Sequence, residues 1–276
     1  MFRKKKIRHY LLLLLLLAFI CGIGGKYFGE HSARQLQCNH VQLPAGTLPG
    51  AGSLKIAFFS DVHNNPELLK QAVEYIEAAK PDLIIFGGDL VSAHERFMRT
   101  RWAVESFRKL RAIAPVYAVL GNHDYEKQEQ VERVYATAGV TLLRNEKLTW
   151  NTPSGTPLHI VGLGDWNEGD EAPSACLQRL SEAESAPVLL LSHDPESRWK
   201  LRAHAWNLML SGHTHGGQIG NPFTGEVISM RSSMPAGLFS FENNHRVFVT
   251  RGVGAILGLR FFCPPEVNIL EVNNEQ

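Results

Sequence analysis

The chain has 276 residues, 44% of them apolar, with 28 basic against 27 acidic side chains for a formal charge of +1. That length suits one large domain or two small ones around a substantial core. The near balance of charge excludes a global field that would recruit nucleic acid, so no nucleic acid is expected as a specific partner.

The chain opens on a basic start, Arg3, Lys4, Lys5, Lys6 and Arg8, joined to a leucine-dominated stretch from Tyr10 to Ile23 with no polar face. This pattern is a membrane-targeting element. It is shorter than the roughly 20 residues of a comfortable spanning helix. Gly22-Ile23-Gly24 is a poor cleavage site, which favours a retained anchor over residues 1–26 rather than a removed leader. The basic residues would hold the N-terminus in the cytoplasm and send the remainder across. Residues 27–53 lack periodicity and are rich in Gly, Pro and Gln, which predicts a tether ending in a short strand at most. The folded domain is expected over 54–276.

Leu54 to Ser60 reads as a buried strand, and Pro66 to Ala79 as a helix with proline suited to its first turn. A strand at Asp82–Gly87, a helix at Glu95–Ala112, a strand at Pro115–Leu120 and a helix at Tyr125–Ala138 follow. Such alternation predicts a largely parallel sheet covered by helices, with ligands gathering at the carboxyl ends of its strands. Short strands are expected at Thr141–Asn145, Lys147–Asn151 and Leu158–Gly162, a helix at Ala175–Ala183, and buried strands at Pro187–Leu191 and Leu208–Leu210. Strand candidates at Val227–Met230, Arg246–Thr250 and Val267–Val272 suggest a second, mainly antiparallel sheet. The expected architecture is α/β, with two mixed sheets face to face and helices outside.

Apolar runs end repeatedly in ligand-type side chains: Ser60-Asp61-Val62-His63, Gly87-Gly88-Asp89, Gly121-Asn122-His123-Asp124, Ser192-His193-Asp194 and Ser211-Gly212-His213-Thr214-His215. A lone His-x-His is weak, but so many strand ends of this kind point to metal. Carboxylate, imidazole and amide oxygen together suit Mn first, with Fe or Zn possible. The four cysteines, Cys21, Cys38, Cys176 and Cys263, contain no C-x-x-C pair. That argues against a thiolate zinc site or a disulfide framework and for buried, inert thiols. If Asp89 bridges two ions, one would take Asp61, His63, Asp89 and His215, and the other Asp89, Asn122, His193 and His213. Two divalent ions about 3.5–4 Å apart share a water, lower its pKa and clamp the oxygens of a displacement at phosphorus.

Asp-x-His, Gly-Asp, Gly-Asn-His-Asp, a separate His and Gly-His-Thr-His, in this order, resemble the calcineurin-like metallophosphoesterase superfamily from about Leu54 to about Val272. The Gly-His-Thr-His-Gly-Gly-Gln extension, Arg251-Gly252, the Cys263-Pro264-Pro265-Glu266 tail and the N-terminal anchor look like its membrane-associated bacterial branch. That branch includes phosphodiesterases and enzymes cleaving UDP-2,3-diacylglucosamine in lipid A synthesis. The resemblance implies a four-layer α/β/β/α sandwich and the ligand assignment above. It also implies His123 as general acid or transition-state donor beside the phosphate, with Asp124 orienting His123 or capping the following helix. The expected function is thus a two-metal phosphoric-ester hydrolase acting on a lipid-linked phosphodiester or pyrophosphate. Its place would be a phospholipid membrane, the bacterial inner membrane, with the charge rule favouring the periplasmic side. The rivals are a tethered nucleotide-type phosphodiesterase and a non-catalytic membrane scaffold.

The chain departs from the family pattern at Asn64-Asn65, which would make the adjoining wall more polar, and at Trp206-Asn207, where an acidic residue is common. Gly216, Gly217 and Gln218 are expected to shape and brace the metal loop. Arg251 is a candidate for substrate phosphate, with a salt bridge as the alternative. The basic run Arg96–Arg111 reads as a solvated helix face or a membrane-surface contact. The stretch Ala236–Phe239 reads as a hairpin tip that touches lipid or is covered.

Overall fold

The computed structural model describes residues 2–93, 100–180, 186–228 and 232–273, with the side chains of residues 2–13 and 16 excluded. Its first sheet contains β1 (Gln37–Gln42), β2 (Leu54–Phe59), β3 (Leu83–Phe86), β4 (Val116–Ala118), β5 (Thr141–Leu142) and β12 (Glu266–Val272), in the order β1-β12-β2-β3-β4-β5. The second contains β6 (Glu146–Asn151), β7 (Pro157–Gly162), β8 (Val188–Leu191), β9 (Leu208–Ser211), β10 (Gly237–Ser240) and β11 (Arg246–Val249), in the order β10-β11-β9-β8-β7-β6. Both sheets are mixed. The second is parallel from β7 through β8 and β9 to β11 and antiparallel only at its outer pairs, which corrects the mainly antiparallel tail expected above. The last strand also crosses back to lie antiparallel to β2 in the first sheet.

Leu54, Ile56, Phe58, Leu83 and Ile85 of the first sheet face Leu189, Leu191, Leu208 and Leu210 of the second across one apolar layer. The opposite face of the first sheet packs under α2 (Pro66–Ala79), α3 (Arg101–Ile113) and α5 (Gln128–Ala138). α2 illustrates how local chemistry makes such a layer. Asn65 caps its N-terminus by accepting from Leu68 N, Pro66 fills the first position, and Lys80 closes the end in a left-handed conformation. Its buried Leu68, Leu69, Ala72, Val73 and Ile76 recur on one face, and each large one contributes about 1.5–3 kcal/mol by leaving water. The outer face of the second sheet is covered by α6 (Pro173–Cys176), α7 (Arg198–Leu201) and loops. α6 is much shorter than the helix expected at Ala175–Ala183, whose end lies partly outside the described residues. The four-layer arrangement is nonetheless present.

Other expectations change at the N-terminus. α1 (Phe2–Ser32) runs past the predicted anchor, and residues 27–53 are built into the fold rather than forming a tether. β1 pairs in parallel with β12 along the sheet edge, and Leu36, Leu43, Leu48 and Ala51 are buried. The half-exposed sequence Gln-Cys-Asn-His-Val-Gln hid this strand because an edge position buries little of it. Among the described residues no helix is long and apolar enough to cross a membrane.

Smaller corrections follow. The expected helix over Tyr125–Ala138 is split into α4 (Asn122–Tyr125) and α5. Ala236–Phe239 is largely strand β10 rather than a hairpin tip, paired with β11. Val227 makes only an isolated bridge to Gly220, and residues 229–231 lie outside the described residues. His94 and Arg96–Arg99 lie outside them as well. Arg108 and Arg111 donate to Thr137 O and Gly139 O, the free carbonyls at the end of α5. Asn207 secures the start of β9 by exchanging hydrogen bonds with Val188, its side-chain oxygen accepting from Val188 N at 2.8 Å.

Candidate metal centre

The parallel strands β2, β3 and β4 of one sheet and β8 and β9 of the other end at a common edge, and the nominated side chains meet there. Ligand atoms of Asp61, His63 and His215 lie within 4.8 Å of one another, as do those of Asp61, Asp89 and His193, and of His63, Asp89 and His123. His215 Nε2 is 3.4 Å from Asp61 Oδ1 and 2.9 Å from His63 Nε2. His193 Nε2 is 3.2 Å from Asp89 Oδ2, and His213 Nδ1 is 3.0 Å from Asn122 Oδ1. The candidate ligands named from the sequence thus lie in one neighbourhood, with His213 beside His193 at 5.3 Å between ring centroids and Asn122 reaching it through His213.

The backbone is bent sharply to achieve this. Asp61, His63, Asp89, His213 and His215 all have φ between 47° and 68°, a left-handed region that costs a side-chain-bearing residue roughly 1–2 kcal/mol. Such strain persists only where the surroundings impose it, and it gathers at functional sites. The surroundings here are backbone. Asp61 N donates to Gly88 O, His63 N to Asp89 O, Gly212 N to His193 O and Gly254 N to Asp61 O. Gly252, at φ 73°, presses against the Asp61 side chain, and a Cβ there would collide with it.

Burial and neighbouring charge set the protonation states. Burial alone lowers the pKa of His193, but Asp89 and Asp61 outweigh it and hold the ring's pKa well above its ordinary value. Burial also raises the Asp89 carboxyl, yet His193 and His63 drive it below the usual carboxylate range. Burial lowers His63 and, with help from His63 and Arg260, lowers His215 further.

These residues fit divalent cations. His193 donates through Nδ1 to Gly87 O at 2.7 Å, leaving Nε2 aimed at two carboxylates. That nitrogen is buried and makes no hydrogen bond of good geometry. An oxygen and nitrogen donor set with two carboxylates converging on a buried imidazole nitrogen that meets neither in a well-formed hydrogen bond is what Mn, Fe or Zn stabilises.

A cleft of about 730 Å³ opens over the cluster, lined by Asp89, Asn122, His123, His213 and His215 and walled by Trp166, Ile219, Ile228 and Ile256. His123 Nδ1 accepts from Ala93 N at 3.1 Å, which places the proton of the neutral ring on Nε2.

Asp124 does not orient His123. Its buried carboxylate accepts from Asp89 N at 2.8 Å, Gly121 N at 3.0 Å and Val91 N at 3.2 Å, so it caps α4 and braces the Asp89 turn. Burial, then the Asp89 charge, pushes Asp124 up to about 7. Arg251 is likewise not in the cleft, because its guanidinium is tied to Glu266 at 2.5 Å. The salt bridge is the correct alternative. Asn65 serves as a helix cap, and neither it nor Asn64 lines the cleft. Gln218 does line it and exchanges two hydrogen bonds with the backbone of Ile256.

Two residues were given no role by the sequence. Asp194 lies 3.7 Å from His213 Nε2 and accepts from Asn167 Nδ2, so its carboxylate steadies the far side of a nominated ligand. Its place directly after His193 was the available signal. Arg260 is fully buried and donates to the carbonyls of Arg251, Gly252, Gly254, His215 and Cys263. It fastens the His215 turn to the segment that grips Asp61. No local pattern marks it.

The model of the calcineurin-like phosphoesterase family matches residues 54–217, more than half of the chain. The chain belongs to the calcineurin-like phosphoesterase family. This metallophosphoesterase is 36% identical over 232 residues to the phosphodiesterase YaeI of Escherichia coli, covering 80% of this chain and 83% of that one. It is 30% identical over 267 residues to the uncharacterized metallophosphoesterase YkuE of Bacillus subtilis, covering 93% and 92%. It is also 27% identical over 282 residues to the UDP-2,3-diacylglucosamine pyrophosphatase LpxG of Chlamydia muridarum, covering 79% and 83%. The protein is accordingly a metal-dependent phosphoric-ester hydrolase.

Proposed function

We propose that this metallophosphoesterase hydrolyses a lipid-linked phosphodiester or pyrophosphate, of which UDP-2,3-diacylglucosamine is one example, at a membrane. The observation that carries the reading is the convergence of Asp61, Asp89, His63, His193 and His215 beneath a cleft with an apolar outer wall. Asp61, His63, Asp89 and His215 would hold one divalent cation and Asp89, Asn122, His193 and His213 a second, with Mn the first candidate. When bound, the pair would supply an activated water and neutralise charge on the phosphoryl group. Asp124 and Asp194 hold Asp89 and His213 in place. His123, fixed through Nδ1, presents its Nε2–H toward the cleft, where it would donate to the departing or phosphoryl oxygen. Trp166, Ile219 and Ile256 would accommodate an acylated substrate while the strand ends bind its phosphate.

The exposed leucines of α1 would keep the protein on the bilayer. The basic residues at its start favour the outer side of a bacterial inner membrane, which protease accessibility in intact and opened spheroplasts tests. The similarity to LpxG supports the lipid-linked substrate, and that to YaeI the phosphodiester chemistry.

The direct test is turnover of bis(p-nitrophenyl) phosphate and of UDP-2,3-diacylglucosamine with Mn by the parent and by Asp89→Ala. The parent should cleave both, and the folded variant neither. Unchanged turnover by the variant would refute the metal assignment, and turnover of UDP-2,3-diacylglucosamine no faster than that of its deacylated counterpart would refute the lipid-linked substrate.

A further inference from the structure

Beyond α1, a group of exposed apolar side chains, Ile219, Phe223, Ile228, Ile256, Leu257 and Phe262, gathers at the border of the cleft. A small hairpin projects there. Gly220 bridges Val227, Ile228 N donates to Ile219 O, and Phe223 at the tip is 95% exposed. Beside it runs the 256–262 segment, joined through the Ile219–Phe261 bridge and the two hydrogen bonds between Gln218 and Ile256. Leu257 in this segment is 90% exposed and held at φ 59°. A leucine in that conformation gains nothing from the fold in return for its strain.

The same segment receives the end of α1. Phe28 packs on Phe262 with ring centroids 5.0 Å apart and on Phe261 at 6.2 Å, and Arg260 N donates to Gly29 O. Gly29 permits the approach, because a Cβ there would meet the Phe261 ring. Upstream along α1, Leu14, Leu15, Leu17, Phe19, Ile20 and Ile23 are all more than half exposed. The apolar surface of the helix is thus fixed, through aromatic contacts, to the apolar rim of the cleft.

We infer that the rim formed by Phe223, Leu257 and Phe262, continuous with α1, docks into the interfacial layer of a phospholipid bilayer, so that the cleft opens at the membrane surface. This docking rests on the hydrolase reading only in taking the cleft as the substrate entrance. A bilayer fits because the rim and α1 present apolar side chains in succession. Interfacial binding scales with the apolar area delivered to the headgroup and acyl boundary. Ile219 and Ile256 belong to both rim and cleft wall, which would give an acyl chain a dry path from the bilayer toward the cluster.

The test places p-benzoylphenylalanine at positions 223 and 257, and at 133 on α5, in the full chain reconstituted into phosphatidylethanolamine–phosphatidylglycerol vesicles. α5 packs against β5, at the far edge of the first sheet from β1. After irradiation, lipid adducts measured by mass spectrometry should be at least about tenfold more abundant at 223 and 257 than at 133. Equal labelling at all three positions, or crosslinks from 223 and 257 to a second copy of the chain, would overturn the inference. Turnover of bis(p-nitrophenyl) phosphate, measured on the same samples, keeps the outcomes separate. Hydrolysis without selective lipid labelling refutes the docking alone, whereas absence of hydrolysis by the parent refutes the proposed function.

Discussion

Asp124→Ala separates two roles that a carboxylate beside His123 can play. Three buried N–H groups, of Asp89, Gly121 and Val91, end on this side chain. Removing it leaves each without an acceptor, at about 1–3 kcal/mol apiece less whatever water recovers. The expected loss is about 3–6 kcal/mol, a large share of the roughly 5–15 kcal/mol that holds a domain together. Asp124→Asn provides the milder case. Its oxygen can still serve Asp89 and Gly121 while its NH₂ opposes Val91 N–H, so the loss should be nearer 1–3 kcal/mol. Urea unfolding followed by circular dichroism, with an unchanged slope, reads both values. Activity adds a second criterion. Because Asp124 acts through Asp89, the fall in turnover caused by Asp124→Asn should persist in a His123→Ala background. Parent-like unfolding midpoints, together with an activity effect that vanishes in the His123→Ala background, would show that Asp124 serves His123 after all.

Arg260→Met should destabilise the protein by about 3 kcal/mol or more, because five carbonyls lose a buried cationic donor; a urea midpoint within error of the parent would refute its bracing role. His245 stacks on Trp206 at 3.9 Å, and burial holds its pKa down at about 4. The unfolded chain takes up that proton as pH falls below about 6.5 while the folded ring stays neutral. The stabilisation is therefore complete above about pH 6.5 and is lost as pH falls toward 4, amounting to about 2 kcal/mol between pH 7 and pH 5. His245→Phe keeps the stack and should remove that share of the acid sensitivity in unfolding measured at both pH values. An identical acid loss in the variant would contradict the assignment.

What was legible in the sequence follows from which interactions are local. α2 could be read to the residue because its cap, its first-turn proline and its apolar face lie within sixteen positions, 65–80. The nominated ligands were legible because each ends an apolar run, and parallel strands of one sheet necessarily deliver their carboxyl ends to one edge. The second layer of the site was not legible. Arg260 serves carbonyls as distant as His215, and Asp124 answers amides near residue 90, so neither contact leaves a short-range pattern. β1 escaped because an edge strand needs little burial, and β12 was assigned to the wrong sheet because strand order within a sheet is a non-local property. Arg251 shows the reverse failure. A basic residue near a metal motif invites a phosphate role, yet Glu266 occupies it.

In the proposed centre, strand ends from both sheets together hold a pair of cations. Equilibrium dialysis of the purified full chain against Mn, with bound metal measured per chain, counts these cations. The parent should bind two ions per chain and Asp89→Ala at least one fewer, with the far-ultraviolet circular dichroism of the folded protein retained. Tight binding of no ion by the parent, or full occupancy in the folded variant, would contradict the two-cation centre.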